Sequence, residues 1–73
     1  MARITKTSKE NLLVADRVEL DFNSIFQSYH VRIFRGDRLA YLSDSEGAIS
    51  YDSIEKARRT IKRFRPDLEP TTI

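Results

Sequence analysis

The fold is decided by residues 29–66, whose sequence is YHVRIFRGDRLAYLSDSEGAISYDSIEKARRTIKRFRP. Apolar and polar side chains alternate on both sides of Gly36-Asp37, which predicts two antiparallel strands joined by a two-residue type II′ turn. A loop of that length sets the register by counting, and it places Ile33 opposite Ala40 on one face of the hairpin. The assignment of side chains to the two faces of the sheet therefore depends on this turn.

Composition indicates a small, charged, globular domain whose own stability is limited. Of the 73 residues, 40% are hydrophobic and 33% are charged, which is typical of a folded chain rather than a disordered one. This length is near the lower limit at which a hydrophobic core is stable alone, so stabilisation by a partner or by self-association is an open alternative. The absence of cysteine excludes disulfides and thiolate metal sites and suits a reducing compartment.

The amino-terminal sequence does not predict export or membrane insertion. Its only apolar run, residues 12–15, is too short for a signal-peptide core or for a membrane span. We therefore predict a cytoplasmic protein that has no membrane partner.

Period-two alternation predicts four strands. The alternating runs are residues 17–22, residues 26–35 and 38–43 of the hairpin, and residues 48–51 after an acidic turn. A short helix over residues 9–15, capped by Ser8, is predicted before the first strand.

A carboxy-terminal helix is the clearest single element. Asp52 or Ser53 supplies its N-cap, and Asp52 with Glu55 fits a capping box. Four apolar residues then recur at helical spacing, and Pro66 ends the helix because the residue before proline avoids the α region.

Together these patterns predict an α+β fold. A three- to four-stranded antiparallel sheet packs against a C-terminal helix, with a short N-terminal helix before it. The predicted domain covers residues 8–65, with flexible tails at residues 1–7 and 66–73.

The last helix concentrates positive charge. The chain has a net charge of only +2, yet residues 53–65 hold six basic residues against Glu55 alone. The candidate phosphate-contacting residues are Lys56, Arg59, Lys62 and Arg63. The alternative is that these cations only solvate an exposed face and complement the negative C-terminal end of the helix.

The second face of the predicted sheet is the candidate partner face. Its residues are His30, Arg32, Phe34, Leu39 and Tyr41. Aromatic side chains beside arginine on an open sheet can bury an anchor residue of a protein partner or stack nucleic-acid bases. Three interpretations stay open: the face is covered within the fold, it binds a protein or a second copy of the chain, or it binds nucleic acid.

The sequence shows no constellation for catalysis or metal binding. His30 is the only histidine, and no serine has a base at a recognisable spacing. Asp44 and Glu46 beside Gly47 are too few ligands for a calcium loop and fit a turn. With only two glycines the chain has no Gly-rich phosphate loop. We predict a non-enzymatic protein with no cofactor, no metal and no small-molecule ligand.

Several short motifs resemble those of a known family. They are Val18-Glu19-Leu20, the strand Tyr29-His30-Val31-Arg32-Ile33, Asp44 with Gly47, and Ser53 followed by Ala57-Arg58. Over about residues 8–65 they resemble a family of small uncharacterised proteobacterial proteins, whose domain is a short helix, a strand set and a carboxy-terminal helix. The resemblance implies that fold and carries no activity, and the last helix here is far more basic than in the family.

Two nucleic-acid-binding classes offer a second likeness. Tyr29, Val31 and Arg32 are similar to the Tyr-x-Val-Arg strand of three-stranded-sheet DNA-binding modules, although here a helix precedes the strands. The order helix, three strands, helix is similar to that of double-stranded-RNA-binding domains, in which a Lys-rich start of the last helix contacts the RNA. Lys56 and Arg58-Arg59 are the residues that match that feature.

We therefore predict a small binding or accessory domain that acts through protein contacts or as a homodimer. The alternative is a nucleic-acid-binding module that uses Arg32 of the sheet face together with the basic C-terminal helix.

Overall fold

Two helices and six strands are formed by residues 3–72, the part of the chain that this computed structural model describes. They are α1 (Lys6–Leu13), β1 (Arg17–Asn23), β2 (Ser28–Arg35), β3 (Arg38–Tyr41), β4 (Ser43–Asp44), β5 (Gly47–Ala48), α2 (Ile54–Phe64) and β6 (Thr71–Thr72). The predicted α+β fold, with a short N-terminal helix and a C-terminal helix, is confirmed. Of the predicted tails, Met1, Ala2 and Ile73 lie outside the described residues.

The β2–β3 turn has the predicted geometry. Gly36 has a φ of +60°, whereas Asp37 keeps a negative φ, which is the φ pattern of a type II′ turn. Arg35 pairs with Arg38, and Ile33 lies opposite Ala40, as the count from a two-residue loop predicts. The turn is also held from outside, because a carboxylate oxygen of Asp16 accepts the Gly36 N–H at 2.6 Å.

The main sheet has the strand order β3-β2-β1-β6, and β1, β2 and β3 are antiparallel neighbours. The sequence does not predict β6, which pairs parallel to β1 and makes the sheet mixed. Two threonines give no alternation to recognise. Packing of the preceding residues sets their position, because Leu68 packs against the core and Pro70 is buried.

The predicted cap of the first helix is wrong. Thr5 is the N-cap of α1, and its hydroxyl oxygen accepts the N–H of Ser8 at 3.2 Å. Ser8 is buried inside the helix instead, where its hydroxyl donates to the Tyr41 carbonyl and accepts the Ser43 N–H at 2.9 Å. The hydroxyls of Thr5 and Ser8 are both of a type that caps helices. The hydrogen bonds of Ser8 to Tyr41 of β3 and Ser43 of β4 hold it within α1, so Thr5 is the cap.

The predicted fourth strand, residues 48–51, is divided in two. Gly47–Ala48 pairs with Ser43–Asp44 in a separate two-stranded sheet. Tyr51 returns to the main sheet, where its backbone N–H and C=O bond those of Tyr29 at 2.9 and 2.7 Å. β3 pairs only with residues 32–35 of β2, and Tyr51 pairs with Tyr29 farther along the same edge of β2.

Both helices cover the same face of the sheet. The buried core consists of Leu12, Ala15, Val18, Leu20, Val31, Ile33, Leu42, Ile49, Ala57 and Ile61. It therefore combines residues of α1 and α2 with the alternate residues of β1 and β2. Neither helix lies over the other face, on which Leu39 is 45% and Tyr41 41% exposed.

Candidate partner-binding face

The five predicted partner-face residues lie together on the face without helices, which we call the open face. Arg32 is the cross-strand neighbour of Tyr41, and Phe34 is that of Leu39. His30 precedes Arg32 by two residues on β2 and so projects from the same side.

Strand β1 adds three charged residues to the open face that were not part of the predicted set. Arg17 lies opposite Phe34, Glu19 opposite Arg32, and Asp21 opposite His30. The alternation of β1 places them there, because Val18 and Leu20 face the core.

Cations cover the Phe34 ring. The Arg17 guanidinium lies 4.0 Å from the ring centroid, and the Arg32 guanidinium lies 5.4 Å from it. Glu19 links both cations, with carboxylate oxygens 3.6 Å from Arg17 Nε and 3.7 Å from Arg32 Nη1. A nucleic-acid base could stack on Phe34 only after it displaced the Arg17 guanidinium, which is paired with Glu19.

The other end of the open face is a shallow aromatic recess. The rings of His30 and Tyr41 meet edge to face with centroids 6.4 Å apart. They line a recess of about 270 Å³ together with Asp21, Asn23 and Ala48. Such a recess can accept an anchoring side chain of a protein partner.

Sequence reasoning missed that His30 meets a serine. Its Nε2 lies 3.1 Å from the hydroxyl oxygen of Ser50, because the return of the chain at Tyr51 brings residue 50 beside β2. A serine nucleophile needs a base that a third group orients. Asp21 lies opposite His30, but no hydrogen bond joins the two within the described residues. The His30–Ser50 hydrogen bond lies on an exposed part of the surface.

Two of the four candidate phosphate-contacting residues are engaged with acids of the same chain. Lys56 Nζ lies 3.0 Å from a carboxylate oxygen of Asp52, and Lys62 Nζ lies 2.9 Å from one of Glu69. The hydrogen bond from Lys62, with the nearby charge of Arg58, holds the pKa of Glu69 below its ordinary value.

The other two candidates, Arg59 and Arg63, form no ion pair with any residue between 3 and 72. They are four positions apart and so lie on one side of α2. This pair is the part of the basic helix that is left for an external anion.

The open face and the basic helix lie on opposite sides of the molecule. Ala57 and Ile61 of α2 are buried in the same core as Val31, so the basic side of α2 points away from the sheet. Arg32 projects from the reverse side of β2. One nucleic-acid duplex therefore cannot contact both surfaces at once.

Within residues 3–72, no group of three His, Asp or Glu side chains is placed to hold a metal ion, and no helix is long and apolar enough to cross a membrane. Comparisons with protein-family models, with curated proteins and with solved structures give no match. The resemblances described above therefore stay predictions.

Proposed function

We propose that this chain is a small non-enzymatic binding domain, that the open face is its interface, and that a second copy of the chain is the partner. The observation that carries the proposal is a three-stranded surface without helices, on which exposed Leu39 and Tyr41 lie beside paired charges. An apolar patch with a polar rim is the usual composition of a protein interface.

Charge complementarity supports a second copy over a strongly acidic or basic partner. On the open face, Arg17 of β1 and Arg32 of β2 are matched in number by Glu19 and Asp21, both of β1. A twofold axis through such a face would bring the cations of one copy near the acids of the other.

The size of the face suggests a weak dimer. Its strands β1, β2 and β3 have seven, eight and four residues. The face therefore measures at most roughly 15 by 26 Å, which is well below the ~800 Å² per partner of a standard interface. We expect an association that depends strongly on protein concentration. The cytoplasm as its site of action stays a prediction, supported by the cysteine-free composition.

Light scattering and sedimentation equilibrium test this proposal. Between about 10 μM and 1 mM, a range that brackets weak interfaces, the wild-type mass should rise toward twice the monomer mass. Phe34→Asp and Tyr41→Asp should each return it to the monomer, because they place a charge inside the contact. Phe26→Asp is the matched control, since Phe26 is 74% exposed in the β1–β2 loop. A wild type that stays monomeric throughout, or a control that dissociates equally, would overturn the proposal.

Nucleic-acid binding is the alternative function, and one observation favours it. Arg59 and Arg63 are the cations of α2 that the acids of residues 3–72 leave unpaired. Two cations can neutralise only about two phosphates. Each neutralised phosphate steepens the slope of log K against log[salt] by only about 0.9. The start of α2 also differs from that of a double-stranded-RNA-binding domain, because Lys56 is paired with Asp52 there.

A further inference from the structure

A cleft of about 360 Å³ lies on the helix-bearing side of the sheet, at the turn end of the β2–β3 hairpin. Ile33 and Ala40, which face each other across the hairpin, form its floor. Val14 forms a wall, and Arg35 and Arg38 line the cleft at the end near the turn. It lies on the side of the sheet opposite the open face, and Leu39 of the open face also lines it. The inference below does not rest on the proposed self-association.

The cleft exists because α1 is short. The helix ends at Leu13, and Val14 is its C-cap. It therefore covers the centre of the hairpin but not the last pair of residues before the turn. Val14 remains 48% exposed beside the cleft, which leaves apolar surface on one wall.

The two arginines of the cleft are an unfavourable pair in the free protein. Arg35 and Arg38 lie directly opposite each other, and like charges at such positions destabilise a hairpin. Neither forms an ion pair within residues 3–72. Asp16, at the same end of the hairpin, uses its carboxylate to accept the Gly36 N–H. The site therefore has two guanidinium groups available for an anion.

We infer that this cleft binds a small aliphatic monocarboxylate. The guanidinium groups of Arg35 and Arg38 bind the carboxylate, because their planar donors match its two oxygens. The apolar chain lies against Val14, Ile33 and Ala40. The volume of the cleft is near the lower end of known ligand pockets, which suits a small ligand. An alkyl phosphate has the same anion-plus-chain chemistry and is distinguished in the test.

Amide NMR with sodium octanoate, used below its micelle concentration, tests this site. We expect saturable shifts at Asn11, Val14, Ile33 and Ala40, the backbone positions around the cleft. Acetate lacks the chain and octanol lacks the charge, so each should bind at least about tenfold more weakly, the equivalent of one lost interaction of ~1.4 kcal/mol. Octyl phosphate in a parallel titration shows which anion the site prefers, and tighter binding of the phosphate would overturn the carboxylate assignment.

Arginine variants separate the cleft from general charge effects. Arg35→Gln with Arg38→Gln should weaken octanoate binding at least about tenfold. Arg59→Gln with Arg63→Gln, which changes the net charge equally on α2, should leave it unchanged. Without ligand, the first variant should stay folded and melt about 1–8 °C higher, because the like-charge pair is gone.

A second variant tests the apolar part of the cleft independently of charge. Ala40→Leu fills the floor and should reduce octanoate affinity while it keeps the arginines. The inference is overturned if octanoate produces no saturable shifts at the cleft, if octanol or acetate binds as tightly as octanoate, or if the α2 control loses as much affinity as the cleft variant.

Discussion

At the scale of single residues, Arg65 joins the ends of the two helices through one guanidinium group. Its Nη1 donates to the carbonyl oxygens of Leu12, Leu13 and Ala15, at 3.2, 3.0 and 3.0 Å. These carbonyls lie at the C-terminal end of α1, where a helix leaves its acceptors unpaired and favours a cation. The other nitrogens of Arg65 donate to the carboxylate of Asp67. In the sequence, Arg65 counts as one of the six basic residues of 53–65 and as the position before Pro66, and neither feature predicts its contact with α1.

The Arg65–Asp67 contact predicts a specific pH dependence of stability. The hydrogen bond from Arg65 holds the pKa of Asp67 below its ordinary value, and Asp67 in turn raises the pKa of Arg65. The stabilisation by Asp67 is therefore present above the pKa of the unfolded carboxyl, about 4. It is lost as the pH falls through the lower pKa of the folded state.

We expect Asp67→Asn to be less stable than the wild type at pH 7, and the difference to shrink as the pH is lowered toward 2. Urea unfolding followed by circular dichroism between these two pH values measures it. Asp37→Asn removes the same charge from the β2–β3 turn, where no ion pair is formed within residues 3–72, and serves as the control. A difference between Asp67→Asn and wild type that persists unchanged at pH 2 would contradict the role assigned to this contact.

At the scale of elements, packing rather than intrinsic propensity holds α1 in place. The helix has eight residues, which is too short to be stable alone in water. Leu12 is fully buried in the core, whereas its neighbour Leu13 is 49% exposed. Hydrogen bonds from Arg65 to the carbonyl oxygens of Leu12 and Leu13 fix the C-terminal end of α1 against the end of α2.

Adjacent leucines of α1 test this account with the same substitution. Leu12→Ala should lower the free energy of unfolding by about 2–4 kcal/mol, because it removes buried methyl groups and leaves a cavity. Leu13→Ala should change it by less than about 0.5 kcal/mol. Since a domain of this size has only about 3–5 kcal/mol of net stability, Leu12→Ala should unfold a large part of the population at 37 °C. Equal effects in urea titrations would show that α1 is not docked through Leu12.

At the scale of the whole molecule, the two-layer arrangement separates two surfaces that the sequence analysis assigns to one nucleic-acid interface. Arg32 and the cations of α2 are part of one chain of 73 residues, and the sequence offers them as one nucleic-acid surface. In the fold, the core lies between them. Protein contacts on the open face and phosphate contacts on α2 are therefore separable by mutation.

The separation is tested with a labelled duplex at low salt, in a fluorescence titration. If the alternative function holds, Arg59→Glu with Arg63→Glu should abolish duplex binding, whereas Phe34→Asp should leave it within about twofold, a difference of ~0.4 kcal/mol. The same α2 variant should leave self-association unchanged in light scattering. Absence of duplex binding by the wild type would exclude the alternative. Equal loss in both variants would contradict the placement on opposite sides.

The sequence was sufficient to predict those elements whose stabilising contacts lie within a few residues of one another. Gly36-Asp37 requires a tight turn, and the register of β2 and β3 then follows from the count. Ser53 caps α2 because its hydroxyl oxygen accepts the Lys56 N–H three residues later. The five residues of the open face were found from this register alone.

Contacts between distant residues decided the rest. The choice of Thr5 over Ser8 as the cap of α1, the parallel pairing of β6 and the meeting of His30 with Ser50 each depend on how separate elements dock. The ion pairs of Glu69 with Arg58 and Lys62 of α2 also depend on this docking. A two-residue strand or a single ion pair has too little local free energy to form alone and so leaves no periodic pattern in the chain. Such features exist only once a buried core has brought their partners together.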